Sequence, residues 1–453
     1  MELSPAKRIV LCLFGWLLAL SVAAQVDDLP VVRLLDNDYY RYEVKKSETL
    51  FSLCHRFQVT EEALIKANPT LIEGLKAGQS LLIPVKTKQE TVITEKKHQE
   101  LPRITLLLPF SPTETSAINE RFLEFYEGFL LAVDTLKSMG LSFEVQALNA
   151  GTDAAGIERL IKNGELDQTD YCIGGINAAQ ITALSRWAAE TKKTTILPFS
   201  SRIPEMTGNS YLYQPLTNQE HMLGRLAAFL SIRFAGVDYV LLKDRAHTVL
   251  STNESLTEAL KVQFAKSGTR YREIYPDVTL DTLVSSLSSV HESVIVPYPM
   301  SQNDAVRFVT NLAAAAASMP GKNITFLGYP DWQAMNKRTI QLLHPLNTYL
   351  FSGFFANFQE EAVVHFQQAF TATFGKSLLN TYPKYGIMGY DIGTYFITKM
   401  VSAHDGHTFV NEPEPLQQSF QFRPTTSGSG NFNQLFYLIN YTKDNQIDVK
   451  QIP

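Results

Sequence analysis

Apolar positions recur along this chain with two different spacings, and where each spacing runs gives a first map of its elements. Leu50, Leu53, Cys54 and Phe57 fall at i, i+3, i+4 and i+7, which predicts a short helix with one buried face. Thr60 then suits an N-cap, with Glu61 and Glu62 in the first turn, where carboxylates favour the positive end of a second helix. Asn68-Pro69 ends that helix, and Leu81, Leu82 and Ile83 before Pro84 predict a closing strand. Residues 40–85 therefore read as a β-α-α-β module, small enough that its core is marginal.

Residues 86–101 break the pattern. They are mostly Lys, Glu, Gln and Thr with no Phe, Trp or Tyr, a composition that buries little and predicts a solvated linker. From 102 to 453 the spacing alternates between strand-like runs and helical faces. Ile104 to Leu108 is an apolar strand, and Phe122, Phe125, Tyr126, Phe129, Val133 and Leu136 share a helical face after it. Strands at 143–148, 171–173 and 195–197 alternate with helices through Ile157 and through Trp187. A second series follows, with strands at 239–242, 293–296 and 324–327 between helices at 221–234, 256–264 and 304–316. Such alternation demands parallel sheets covered on both faces, and the length divides into two lobes. The fold class expected is α/β, a small β-α-α-β module plus a two-lobed domain with parallel sheets. Residues 348–351 and a helix at 390–400 are expected to return to the first lobe, and 420–441 to form a hairpin around Pro424 to Asn431.

The first 24 residues have the form of a secretory signal: Lys7 and Arg8, an apolar run from Ile9 to Leu20, then Val22-Ala23-Ala24 before Gln25. Leu11 before Cys12 argues against lipidation, and no later run is apolar for about twenty residues, so no transmembrane segment is expected in the mature chain. The formal charge is −5, and the leader carries two basic residues and one acidic, so the remainder is slightly more acidic and offers nucleic acid nothing. Cys54 and Cys172 fall in different domains at apolar positions and read as small core residues. Asn253, Asn323 and Asn440 head glycosylation sequons by pattern alone.

Residues 42–84 resemble a LysM domain, the small peptidoglycan- and chitin-binding module. Tyr42, Val44, Thr49, Leu50, Val59, Thr60, Leu64, Asn68, Pro69, Leu75, Gly78, Gln79, Leu81, Ile83 and Pro84 match its pattern, whereas Lys46-Ser47-Glu48 stands where the family has Pro-Gly-Asp. The resemblance implies that two facing loops hold a glycan's N-acetyl group, through Ser47, Glu48, Thr49 and Leu50 on one side and Asn68, Pro69, Leu75 and Gly78 on the other. The alternative is a LysM fold that serves only as a spacer.

Residues 103–441 resemble the type I periplasmic binding proteins of the leucine-binding-protein fold. The resemblance rests on Ile104 to Phe110, Tyr126-Glu127-Gly128, Ile173-Gly174-Gly175, Leu197 to Ser201, Tyr213-Gln214, Gly328 to Trp332 and Gly389-Tyr390-Asp391, in that order. Ligands of open α/β sheets lie beyond the carboxyl ends of the strands, here between the lobes. By resemblance, Asn177, Ser200 and Ser201 would hold a ligand carboxylate and Asp331 its ammonium. Tyr298 and Trp332 would clamp it by stacking or cation–π contact, with Ser111 and Tyr329 lining the cleft. The same residues also have structural readings: the serines as caps, Asp331 in an Asx turn, Tyr298 as core. Phe199 is bulky where the family often has a small residue. A relative of this fold, the penicillin-binding-protein activator, regulates a partner instead of carrying a nutrient.

Catalytic patterns are missing. Gly375-Lys376-Ser377 lacks the first glycine of a phosphate loop, since Phe370 stands there, and Ser427 to Gly430 suits a hairpin tip. The histidines have no zinc spacing and no Gly-x-Ser-x-Gly elbow occurs. The reading is a non-enzymatic, exported, peptidoglycan-associated protein of the periplasm or cell envelope that needs no cofactor or metal. Its partners would be peptidoglycan glycan strands and either a small amino-acid-like ligand or a cell-wall synthase. A synthase regulator without a small ligand, or a wall hydrolase, are the alternatives.

Overall fold

The computed structural model describes residues 31–34, 37–46, 48–57, 59, 61–68, 70–71, 75–84, 101–110, 117–243, 255–275, 279–406 and 413–452. The expected leader, nearly all of the expected linker, and the site residues Ser47, Pro69 and Ser111 lie outside the described residues. The chain forms two compact units, Met1–Gln99 and Glu100–Pro453.

In the first unit, β1 (Val31–Leu34) and β2 (Asn37–Glu43) are followed by α1 (Leu50–Phe57), α2 (Glu61–Ala67) and β3 (Ser80–Pro84). The sheet is antiparallel in the order β1-β2-β3. Tyr42, Leu81 and Ile83 lie on one face of the two long strands and meet Val44, Leu53 and Leu64 in the core. β1 is an addition to the expected β-α-α-β order. At four residues it is too short to display a period.

The second unit opens with β4 (Arg103–Leu108), α3 (Ala117–Ser138), β5 (Glu144–Asn149), α4 (Ala154–Lys162), β6 (Tyr171–Ile173), α5 (Ala178–Thr191), β7 (Thr194–Ile196) and β8 (Leu212–Gln214). The second lobe continues with α6 (Gln219–Arg233), β9 (Asp238–Leu242), α7 (Leu256–Ser267), β10 (Tyr271–Ile274), α8 (Leu280–Ser286), β11 (Ser293–Val296), α9 (Gln302–Ser318), β12 (Ile324–Gly328), α10 (Lys337–Gln341) and β13 (Thr348–Ser352). Then come α11 (Glu361–Phe374), α12 (Tyr385–Asp405), β14 (Phe422–Pro424), β15 (Asn431–Asn433), β16 (Phe436–Tyr441) and β17 (Ile447–Ile452). One seven-stranded sheet runs β14-β15-β8-β7-β6-β4-β5, the other β10-β9-β11-β12-β13-β16-β17. Each has a parallel centre, and Ile104, Leu106, Leu107 and Leu108 on β4 are all fully buried because helices cover both faces.

Two expectations need correction. Residues 348–351 do not return to the first lobe: β13 pairs with β12 and β16 in the second sheet. An uninterrupted apolar run marks a central strand but says nothing of which sheet receives it. The expected hairpin at 420–441 ends sooner, pairing Phe422 with Asn433, and β16 crosses to the second lobe to make its own hairpin with β17. The chain thus crosses between lobes three times, after β8, after β13 and after β15.

The first lobe is locked by α3 and α12, which touch backbone to backbone. A Cβ on Gly128 would lie 1.7 Å from the Gly386 carbonyl oxygen, and one on Gly389 would lie 2.0 Å from that of Phe125. Gly224, inside α6, has nothing within 4 Å of its Cβ position. Gly389→Ala is expected to lose about 1–3 kcal/mol or more in urea unfolding through overpacking, whereas Gly224→Ala gains about 0.5–1 kcal/mol from helix propensity. Equal effects of the two substitutions would show that the close helix contact is not limiting.

Candidate functional sites

The loop before α1 is organised by Glu48. Its carboxylate accepts hydrogen bonds from the Tyr42 hydroxyl at 2.7 Å and the Lys45 N–H at 2.8 Å, and pairs with Arg56 at 2.6 Å. Partial burial works against the charged form, yet these hydrogen bonds and the Arg56 charge hold the carboxyl below the usual range. Glu48 thus fastens the turn in which the family's Pro-Gly-Asp is replaced. Thr49 caps α1, its hydroxyl accepting from Ser52 N–H at 3.1 Å while the Ser52 hydroxyl accepts from Thr49 N–H at 2.9 Å.

The opposite loop is pinned by Asn68, which is buried. Its amide donates to Leu64 and Leu82 carbonyls at 2.9 and 2.7 Å and accepts from Leu82 N–H at 2.8 Å, stapling the end of α2 to β3. Gly78 has φ +82° and donates its N–H to Val44 O at 2.8 Å. Leu50 and Leu75 are half-buried and pack on the same apolar cluster, a floor suited to a methyl group. Of the expected glycan residues, Glu48, Thr49 and Asn68 thus spend their side chains on the module itself. Leu50, Leu75 and exposed backbone remain for a ligand.

In the larger unit a cavity of about 440 Å³ lies where the lobes meet. Its walls come from the carboxyl ends of β11, β12 and β13, with Pro299, Met300, Tyr329, Asp331, Phe351 and Phe354, and from Thr217 and Met222 at the first crossing. From the first lobe come Ser201 and Leu216, the latter packed on that lobe's core. Asp331 stands exposed at the rim, and the neighbouring apolar walls raise its carboxyl above the ordinary value.

The remaining sequence-predicted residues divide. Tyr329 lines the cavity but is buried, and its hydroxyl donates to Pro297 O at 3.1 Å. Asn177 caps α5 through Gln180 N–H at 3.1 Å and donates to Thr152 O at 2.7 Å. Ser200 closes a turn with Arg202. Tyr298 is half-buried against the second-lobe core. Trp332 does not reach the cavity: it is fully buried against Phe326 and Tyr329, with ring centroids 5.4 and 6.4 Å away, so it braces the lobe instead of clamping a ligand. Phe199 stacks on Tyr385 and meets Phe122 and Phe125 edge-on, making the first-lobe wall aromatic. Phe351 and Phe354 went unread because their strand was assigned to the other lobe. Met300 and Met222 carry no signal beyond hydrophobicity.

Behind the cavity the three crossings are tied together. Pro215 O accepts from Gln418 and Asn433 side-chain amides at 2.9 and 3.1 Å, Thr217 donates to Leu435 O at 2.6 Å, and Phe355 N–H donates to Gln417 O at 2.9 Å. The segment 416–418 is held in turn by Asp391, fully within α12, whose carboxylate accepts the N–H groups of Leu416, Gln417 and Gln418 at 2.7–2.8 Å. Burial pushes the Asp391 carboxyl up to about 7 against the pull of these donors. On the other side, the loop before α12 bridges the lobes: Glu124 of α3 accepts the Leu379 N–H, while Tyr382 meets Gln333 at 2.6 Å and donates to Phe354 O at 2.8 Å. Among the described residues no group of acidic, histidine or cysteine side chains could hold a metal, and no helix is long and apolar enough to cross a membrane. Cys172 is fully buried and its thiol is pushed up by burial.

The LysM domain family matches residues 42–84. A curated protein of Bacillus subtilis (strain 168), "Putative L,D-transpeptidase YkuD", is 49% identical over 43 residues, which are 10% of this chain and 26% of that protein. The chain thus spans about a quarter to a third of the length of the curated relatives it matches. Among solved structures, a "putative branched-chain amino acid ABC transporter" from Rhodospirillum rubrum is 14% identical with a TM-score of 0.55, covering 77% of this chain and 100% of that one. The C-domain of LpoA (YraM) from Haemophilus influenzae, a regulator of PBP1A, is 11% identical with a TM-score of 0.46, covering 77% and 99%. Residues 42–84 are a LysM domain, and the larger unit has the type I periplasmic-binding-protein fold.

Because the Glu48 carboxyl is depressed on folding, its contribution is complete above the unfolded value of about 4.3 and disappears as pH falls through the folded value. Hydrogen-exchange protection of residues 42–84 is expected to drop as pH falls below about 4.3, and to drop less in Glu48→Gln. An identical acid response in both chains would remove Glu48 as the organiser of the turn.

Proposed function

We propose that this chain is a non-enzymatic protein of the bacterial cell envelope that docks on peptidoglycan through its LysM domain and captures a small ligand in the interlobe cavity. The observation that carries the reading is the union, in one chain, of a LysM domain with a two-lobed domain whose cavity presents a single rim carboxylate, Asp331, above apolar walls. That combination suits a ligand with an ammonium or other donor head and an apolar body. A second reading, a scaffold that regulates a wall synthase, is favoured by the first lobe. There Asn177 and Ser200 are spent on local hydrogen bonds and Phe199 is embedded in aromatic packing, so the expected carboxylate-binding half is only partly available.

Sacculi are expected to retain the full chain but not a shortened chain beginning at Pro102; equal retention of both would sink the peptidoglycan claim. In a thermal-shift screen of amino acids and muropeptides, a true ligand at ~100 times its dissociation constant adds roughly 2.7 kcal/mol, and Asp331→Asn abolishes the shift. Silence across the screen favours the scaffold.

A further inference from the structure

We propose that two copies of this chain associate edge to edge through β17, joining their second-lobe sheets. β17 ends its sheet, and no strand among the described residues pairs with its other side. Five of its six residues are exposed, including Ile447 and Val449. The direction of its free hydrogen-bonding groups follows from the hairpin. Thr442 N–H donates to Gln446 O at 3.0 Å, which marks 442 and 446 as a hydrogen-bonded pair. Hydrogen-bonded and non-hydrogen-bonded pairs alternate along an antiparallel ladder. Asp448 and Lys450 therefore bond inward to Asn440 and Leu438, whereas Ile447, Val449 and Gln451 turn their N–H and C=O groups to the open edge.

Charge then selects the register. A two-fold axis through Val449 pairs Val449 with its own copy and Ile447 with Gln451, so all the outward groups find partners. The same register sets Asp448 opposite Lys450 twice, in non-hydrogen-bonded positions where side chains approach most closely. Axes through Asp448 or Lys450 would oppose like charges, and axes through Ile447 or Gln451 would leave much of the strand unpaired. Beside the edge, Ile232 is 79% exposed and shares a depression of about 380 Å³ with Phe229, Asp448 and Lys450, giving the second copy an apolar contact. The commonest alternative for such a strand is a charge-protected edge that stays single.

Sedimentation velocity on the full chain distinguishes the two. The native chain is expected to dimerise reversibly with concentration. Asp448→Lys and Lys450→Asp each weaken association by about tenfold or more, because each places like charges opposite one another. Mixing the two single variants restores a heterodimer, and the double variant D448K/K450D restores a homodimer, outcomes that a misfolded chain would not give. A native chain that stays monomeric at the highest attainable concentration, or a dimer indifferent to both substitutions, overturns the proposal.

Discussion

Much of the two-lobed unit depends on one buried carboxylate. Asp391 sits in α12, and its oxygens collect three consecutive backbone N–H groups, those of Leu416, Gln417 and Gln418. Backbone groups in a bent, largely buried segment of this kind need partners, and a carboxylate is the most compact way to supply three acceptor sites at once. Once that segment is fixed, Gln417 and Gln418 reach the second and first crossings, and Asn433 and Thr217 join the third. The crossings are therefore not independent tethers but one hydrogen-bonded unit. The position of Asp391 follows from the glycine contact of α3 and α12, so helix packing in one lobe governs how both lobes are joined.

The two sides of the cavity differ in what they offer a ligand. On the second-lobe side the loops after three parallel strands converge as they do in open α/β sheets, and Asp331 is the charged group they present. On the first-lobe side the polar residues have found partners within their own loops, and aromatic rings fill the space between. The LysM domain shows the same economy: Glu48 and Asn68 hold the loops in place, and the surface left for a sugar is apolar side chain and backbone.

Much of this was legible in the sequence because helical and strand periods are long-range in burial but local in sequence. The LysM helices, the β4 strand, the α3 face and the α12 helix all follow from spacing. What spacing does not encode is sheet membership. The β13 run, Thr348 to Ser352, suits burial on both sides in either lobe, and its misplacement hid Phe351 and Phe354 from the cleft. Trp332 failed for a related reason: an aromatic residue after a strand end looks alike whether it turns to the cleft or to the core, and only the packing against Phe326 decides. Nothing in the neighbours of Asn177 and Ser200 announced that the one would be consumed by a cap and the other by its own turn.

The seam between α3 and α12 also constrains how this chain can drift over generations. Every residue other than glycine adds a Cβ, and at Gly128 and Gly389 that single carbon would enter the space of a carbonyl oxygen. Substitution there must be accompanied by a shift of two long helices and everything hung from them, including the Asp391 anchor. Distant copies of this fold would therefore diverge over the exposed helix faces and the cleft walls while this pair of small residues stays still, which makes the seam a better marker of shared descent than any residue that touches a ligand.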